Sequence, residues 1–579
     1  MKPVKFIAVS DNNQNNSKIM KKIAIIILSI LPFTLFSQEI SYHSQGKNGV
    51  VAASDPPTIQ SGLDMLEKGG NAADASVAII LAETVTDYPR FGAGGEVVYM
   101  FYDAHTQKVK VLSGLGEAPL SKEAIDWYMK NGIPSSSIKA ALVPSVIDLC
   151  VKALQLYGTL SFAETVMPAI KLLESGKAVS MEISKDISWY PDLAKTYRKL
   201  IEAEKNAKGD RTQKLQAVAD RFYRGDIADS LDAWYKRTGA FFTKEDLAKH
   251  VTEEEDPITI DYRGYSVFKT NTWTQGPVML ETLGLLENFD IKKYEYLSPE
   301  YIHIVTEALK LSLADRDTYY GDPLFVNVPL QNLISRQYAK LRYPLIDLGK
   351  ASDECRPGDP IQMKALLENG GKYLKVEGGT TTCSVIDKWG NMVAASPSGW
   401  GSNAGAGGST GVTHGTRLKS FNTLKGHPNC IEPGKRPRVT LSPTIVLKNG
   451  KPVMAMSIEG GDTQDQNCVN LFHAIVVYGI DPYNAVTLPR FTTNLHQDSF
   501  NPSGNRSEAY PPKRLLTVRE GISIDCWNSL KKLGHSLSLA KDGDKVAMGH
   551  PSVVFLDQKS GVAYGATDPS TARFTGALK

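Results

Sequence analysis

Apolar residues recur every three to four positions from 58 to 85, and the rhythm breaks at Gly69-Gly70, which predicts two helices meeting at a glycine turn. The same spacing predicts helices over 144–157, 162–175 and 298–320, with turn signals such as Gly132-Ile133-Pro134 separating others. Ahead of them, Gly49–Ala53 is a short apolar run that fits a buried strand, so the chain opens strand then helix. From Thr380 the texture changes. Short runs rich in β-formers, Cys383–Asp387, 392–396, 444–447, 453–458 and 552–557, alternate with Gly and Asn turns. The first two-thirds therefore reads as helix-rich and the last third as β-rich. No repeat period or low-complexity tract interrupts this plan, and the glycine-rich stretch 399–415 is expected to be a mobile loop of the kind that shapes active sites.

Two hairpins follow from this pattern. Asp387-Lys388-Trp389-Gly390-Asn391-Met392 reads as a tight turn, and pairing Asp387 opposite Asn391 or Met392 brings Thr380 opposite Ser398 or its neighbour. The second runs from 442 to 448, turns at Asn449-Gly450 and returns over 451–458. It ends at Glu459-Gly460-Gly461-Asp462, after which 464–478 has helical spacing.

Composition narrows the class. With 579 residues and 42% hydrophobic content the chain can bury a large core, and the length corresponds to roughly four average domains. The 65 basic and 62 acidic residues nearly cancel without a long block of one sign, which argues against a nucleic-acid partner. Met20-Lys21-Lys22, the uncharged run 23–36 and Ser37-Gln38 read as a secretory signal within residues 1–38, with Met20 a candidate true initiator because residues 1–19 are polar. The apolar run is shorter than the roughly 20 residues that span a bilayer. The expectation is a periplasmic or secreted protein without a stable membrane anchor once the signal is removed. The six cysteines are scattered, with no C-x-x-C pair or nearby His cluster, so neither a zinc site nor a disulfide framework is expected. Gly92-Ala93-Gly94-Gly95 lacks the third glycine of a dinucleotide fingerprint and there is no P-loop or H-E-x-x-H, so no cofactor is implied.

The candidate chemistry sits at the texture change. In Glu377-Gly378-Gly379-Thr380-Thr381-Thr382 a glycine pair precedes hydroxyl residues that lead into a strand. Such a segment suits self-cleavage, because a hydroxyl attacking the preceding carbonyl needs a strained backbone that glycine tolerates. Cleavage between Gly379 and Thr380 would free an amine with an unperturbed pKa of roughly 8, able to take the proton from the same residue's hydroxyl. Ser398, opposite, could hold that amine. Gly460 and Gly461, at a helix start, could offer backbone N–H groups to an oxyanion. Each feature also has an ordinary reading: a Thr-rich strand entry, a Ser at a strand end, a glycine turn.

Colinear motifs then add a resemblance. They are Gly69-Gly70-Asn71-Ala72-Ala73-Asp74-Ala75, Gly94-Gly95-Glu96, Tyr157-Gly158-Thr159, Leu286-Glu287-Asn288-Phe289-Asp290, Ala314-Asp315-Arg316, Gly321-Asp322-Pro323, Thr380-Thr381, Lys435-Arg436-Pro437, Ser442-Pro443-Thr444, Gly460-Gly461 and Gly565-Ala566-Thr567-Asp568-Pro569. From about Gly49 to the C-terminus the chain resembles the gamma-glutamyltranspeptidase family of N-terminal-nucleophile hydrolases. The resemblance implies an α+β fold, an αββα sandwich, cut into a helix-rich large subunit (39–379) and a β-rich small subunit (380–579) that stay together as a heterodimer. It also implies a small-molecule amide or peptide substrate, with Thr380 as nucleophile, Ser398 as the hydroxyl near its amine, and Gly460 and Gly461 as the oxyanion glycines.

Departures from the family bear on the substrate. The arginine that grips a glutamyl α-carboxylate should fall nearest Leu115, and none is there. Trp400 stands where the family has an Asn, Arg417 and Ser420 replace the residues that hold the α-amino group, and Val439-Thr440 replaces a serine pair. These changes shift the expected preference from glutathione toward an anionic group and toward the acylase branch of the family, whose members include cephalosporin-acylase-like enzymes. Arg417 paired with an acid is the alternative. A serine hydrolase built on Gly407-Gly408-Ser409-Thr410-Gly411 lacks the strand before and helix after that such an elbow requires. A binding protein that kept the fold and lost catalysis is the reading from a different class.

Overall fold

The structure, a computed structural model, describes residues 40–177, 186–367, 380–399, 401, 404–541 and 548–579. The expected signal segment, Gly379 and Trp400 lie outside the described residues.

Two seven-stranded antiparallel sheets form the centre. The first runs Phe574–Leu578, Gly49–Ala53, Cys383–Asp387, Met392–Ser398, Glu96–Asp103, Lys108–Gly114, Glu254–Glu255. The second runs His43–Gly46, Val562–Thr567, His550–Asp557, Lys451–Glu459, Thr444–Lys448, Tyr265–Lys269, Ile258–Tyr262. Residues before and after position 380 therefore interleave in both sheets.

Side-chain alternation explains the layering. In strand Glu96–Asp103, Val97, Tyr99 and Phe101 join a cluster with the helices Ala72–Thr86, Val146–Leu156 and Phe162–Glu174. Val98, Met100 and Tyr102 turn the other way, into a cluster with Ile445, Ala455 and Val554 of the second sheet. The second sheet's outward face, Met454, Met456 and Ile458, packs on helices Pro277–Leu286, Pro299–Tyr319 and Gln464–Phe472. Because successive residues of a strand face opposite sides, strands that are apolar on both faces must be covered on both. The three apolar clusters are the three interfaces of an αββα sandwich.

The predicted elements are present: Pro56–Glu67 and Ala72–Thr86 on either side of Gly69-Gly70, then Val146–Leu156, Phe162–Glu174 and Pro299–Tyr319. Both hairpins form in the expected register, Ile386 opposite Met392 and Lys448 opposite Lys451. Strand Glu96–Asp103 was not anticipated, since a run apolar on both faces lacks the alternation that marks a half-exposed strand, and Lys108–Gly114 was missed although its start, Lys108-Val109-Lys110-Val111, does alternate. The stretch 399–415 differs from expectation over its described residues. Thr196 donates to the Thr410 carbonyl (2.7 Å), Tyr235 bonds His414 (2.8 Å), and His414 is fully buried. Packing against the helices Tyr190–Asn206 and Asp226–Thr238 holds it. Ser409 sits exposed in the short 3₁₀ turn Gly408–Thr410, not in a strand-to-helix elbow.

Candidate active site

Asp387 fixes the register that places Thr380. Its carboxylate accepts from the N–H groups of Trp389 (2.9 Å) and Asn391 (2.9 Å) within the turn and from Ala72 (2.9 Å) at the start of a helix. The ladder continues upward to Thr381, whose N–H donates to the Pro397 carbonyl at 3.0 Å. Thr380 thus falls opposite Ser398, and on the other side of its strand Ser398 is paired with Glu96. The period of two puts all three side chains on the face that looks toward the second sheet, where Ser396 and Ser457 meet across the gap at 3.0 Å. Thr380 and Ser398 are fully buried.

The second sheet delivers the other half. Strand Lys451–Glu459 ends at Gly460 and Gly461, with φ of 139° and 55°. Both lie in the left-handed region that favours glycine. A Cβ at Gly460 would also lie 2.5 Å from Thr463 Oγ1 and 2.9 Å from Gly549 Cα. After one 3₁₀ turn, helix Gln464–Phe472 begins. Gln464, its first residue, is fully buried and donates from Nε2 to Thr380 Oγ1 at 3.2 Å, while its Oε1 accepts from the Ser442 N–H at 3.2 Å.

A buried polar scaffold holds this corner. Arg316 donates to Asp462 Oδ1 (2.5 Å) and to Gln275 Oε1 (2.8 Å), and Gln275 Nε2 donates in turn to the Gly461 carbonyl (3.1 Å). Ser499 donates its N–H (3.0 Å) and its hydroxyl to Asp462, and Arg438 donates to the Ser499 hydroxyl (2.6 Å). Burial opposes the Asp462 charge, but Arg316, His496 and Arg438 outweigh it and hold the carboxyl well below the usual range. Beside it, Lys269 bonds Asp465 (2.8 Å), Thr444 Oγ1 (2.8 Å) and the Ser442 carbonyl (3.0 Å). Burial raises the Asp465 pKa against the pull of Lys269. Several of the motif residues named above are this scaffold or others like it, such as Asp322 with Arg436 (2.9 Å) and Asp74 with Thr159 (2.7 Å).

Arg417 belongs to the Thr380 face. It donates from Nε to Glu96 (2.5 Å) and from Nη2 to the Ser398 hydroxyl, and it is buried. Burial pushes the Glu96 carboxyl up while Arg417 pulls it down. Arg417 is therefore paired with an acid, and its charge is balanced locally. Ser420 lies at the end of the same short turn, Arg417–Ser420, and Thr440 lies two residues before Ser442. The hydroxyls of Ser420 and Thr440 and the Nη1 of Arg417 are buried without a hydrogen-bond partner among the described residues. Leu115 is fully buried in the cluster between the sheets, an apolar setting where the resemblance expected an arginine. Sequence reasoning missed Gln464, Glu96 and the scaffold cations Arg316 and Lys269 as parts of this site. Glu96 and Arg316 carried a sequence signal as members of the colinear motifs and Gln464 by following Gly460-Gly461, while Lys269 carried none.

Two features elsewhere are separate from this site. A cavity of about 700 Å³ is lined by Lys310, Thr493, Arg514 and His535 among others and includes none of the site residues. Next to it, His303, Glu307 and His535 bring their donor atoms together. His303 Nε2 faces the Asp347 carbonyl (2.8 Å) and must donate, so its Nδ1 accepts from His535 (2.8 Å). Glu307 is held by Lys310 (2.7 Å) and Arg356 (2.9 Å), and these two cations disfavour a third positive charge.

Comparison with known proteins agrees with this fold. The Gamma-glutamyltranspeptidase family profile matches residues 58–577. A glutathione hydrolase proenzyme of Bacillus subtilis (strain 168) is 31% identical over 91% of this chain and 90% of its own. An acylase, ACY 1 proenzyme, of Pseudomonas sp. (strain SE83) is 27% identical over 78% of this chain and 83% of its own. The crystal structure of cephalosporin acylase from Bacillus halodurans superposes with a TM-score of 0.75 at 25% identity, covering 95% of this chain and 99% of that one. With an αββα sandwich, a buried threonine at the strand entry and a match along nearly its whole described length, this chain belongs to the gamma-glutamyltranspeptidase family of N-terminal-nucleophile enzymes.

Proposed function

We propose that this protein is an exported, self-processing amidohydrolase that cuts its own chain between Gly379 and Thr380 and then breaks gamma-glutamyl or related acyl amides through an ester on Thr380. The observation that carries this reading is the placement of Thr380 opposite Ser398, with its hydroxyl against the helix start that follows Gly460-Gly461. The new α-amine takes the hydroxyl proton, Ser398 orients that amine, and the N–H groups at Gly460 and Gly461 hold the oxyanion. Water resolves the ester in preference to an acceptor amine. The products of the cut, residues 39–379 and 380–579, remain together because both sheets draw strands from each of them. That relatives are named proenzymes supports the cut. Among the described residues no helix is long and apolar enough to cross a membrane.

For the acyl group, buried Leu115 offers nothing to an α-carboxylate, and Glu96 balances Arg417, which weakens the case for a strongly anionic donor. The first observation favours acylase-type donors over glutathione. Arg417 Nη1, Ser420, Thr440 and Trp400 remain the proposed contacts to substrate.

N-terminal sequencing of the purified protein tests the cut: a chain beginning Thr-Thr-Thr-Cys-Ser-Val is expected, and a single uncut chain would favour a binding protein of the same fold. A panel of γ-glutamyl, glutaryl and other acyl amides, assayed with and without an added dipeptide, ranks the donors. Dominant transfer to the dipeptide would overturn the preference for hydrolysis.

A further inference from the structure

Thr380 Oγ1 has one hydrogen to give and two lone pairs. Gln464 takes one of these lone pairs, and which way its amide points is settled by its other bond. The Ser442 N–H can only donate, so the atom facing it is the Gln464 oxygen and the atom facing Thr380 is the nitrogen. The amide is fixed at both ends: Gln464 is fully buried at the first position of its helix, and Ser442 is tied to Lys269 and Asp465.

We propose that Gln464 is a catalytic residue of the threonine site, a fixed neutral donor to the nucleophilic oxygen that steers the hydroxyl hydrogen away from itself and stabilises charge on Oγ1. The proposal rests on the reading of Thr380 as nucleophile. In self-cleavage, the free lone pair of Oγ1 bonds to the Gly379 carbonyl carbon, the bond from that carbon to the Thr380 nitrogen breaks, and the hydroxyl proton ends on that nitrogen. Water then splits the ester, and Oγ1 leaves carrying negative charge until it regains a proton. Gln464 neither gives nor takes a proton in this sequence. It cannot be the base, because it presents a donor. Its hydrogen bond strengthens as charge grows on Oγ1, which is where a fixed donor contributes most. The charges on the packed elements, Asp465 with Lys269, Asp462 with Arg316 and Glu96 with Arg417, are each paired and leave this neutral contact to act on Thr380.

Gln464→Glu isolates the claim, since a carboxylate still accepts from Ser442 but turns an acceptor toward Thr380. At pH 8 its self-cleavage, followed on gels after cell-free synthesis, should slow by about 10²- to 10³-fold. As the pH falls and the buried carboxyl gains a proton it becomes a donor again. The ratio of variant to wild-type rate should then rise at least about tenfold, a recovery that a merely structural role would not produce. Hydrolysis of glutaryl-p-nitroanilide by the matured fraction should follow the same profile. Gln464→Met, which cannot donate at any pH, should be slow without recovery, and it decides the matter if the Glu variant is insoluble. Wild-type rates in either variant, or a loss in Gln464→Glu that does not change with pH, would overturn the proposal. If instead the wild-type protein yields no chain starting at Thr380, the reading of the nucleophile fails first.

Discussion

The two halves of the candidate site are built in opposite ways. The hairpin from Thr380 to Ser398 is local: nineteen consecutive positions, one turn pinned by Asp387, and a ladder that carries its register to the end. The corner at Gly460-Gly461 is assembled from afar: Gln275, Arg316 and Ser499, buried groups from separate segments, converge on Gly461 and Asp462 only in the folded chain. The first half places the Thr380 hydroxyl by covalent neighbourhood. The second orients backbone groups by burying charge, which is costly unless every partner is in place. Damage to the hairpin should therefore be local, and damage to the corner cooperative.

The largest expected effect is on the hairpin. Thr380→Ala should remove self-cleavage and amidase activity together, leaving one chain on a denaturing gel with a melting temperature close to that of the uncut wild type. At the corner, Gly460→Ala forces a side chain into a backbone conformation with φ of 139° and against Thr463 and Gly549. If Gly460 supplies the proposed oxyanion donor, kcat should fall by about 10²- to 10³-fold. Asp462→Ala removes one of the two carboxylates that pair with buried Arg316, leaving Asp317, and strips the acceptor from Ser499. Because Asp317 still pairs with Arg316, the loss should stay below the roughly 3–5 kcal/mol of a fully orphaned buried charge, and denaturant unfolding would register it alongside reduced self-cleavage. If Asp462→Ala altered neither stability nor cleavage, the corner would not be the cooperative unit described.

Asp387→Ala should be milder, since it strips an acceptor from N–H groups in the turn and at a helix start. The expected loss is about 1–3 kcal/mol, with the strand register retained by the apolar faces of Val385 and Val393. The smallest effect is on acid stability. Burial works against the charges of Asp462 and Glu459, but Arg316 and its neighbours in one case, and His550, Arg573 and Arg90 in the other, hold both folded-state carboxyls well below their usual range. Groups with depressed folded pKa stabilise fully above the unfolded values of about 4 and lose that contribution as the pH falls toward the folded ones. The melting temperature should therefore hold above about pH 5 and drop below pH 4, with a shallower drop in Asp462→Asn.

The sequence by itself determined what depends on near neighbours. Period-2 and period-3.6 spacing located the hairpins, the flanking helices and the pairing of Thr380 with Ser398, because a strand's register follows from its turn and its alternating faces. It also determined the family, through motifs preserved in order. Tertiary structure alone decided what depends on contacts between distant segments. It turned Gln464 toward Thr380, matched Arg417 with Glu96 across 321 positions, and set Arg316 against Asp462 across 146. Buried strands such as Glu96–Asp103, apolar on both sides, gave no alternation to read. A buried charge has no preferred partner along the chain; its partner is whichever opposite charge the fold brings within bonding distance once water is gone, and spacing along the sequence does not encode that.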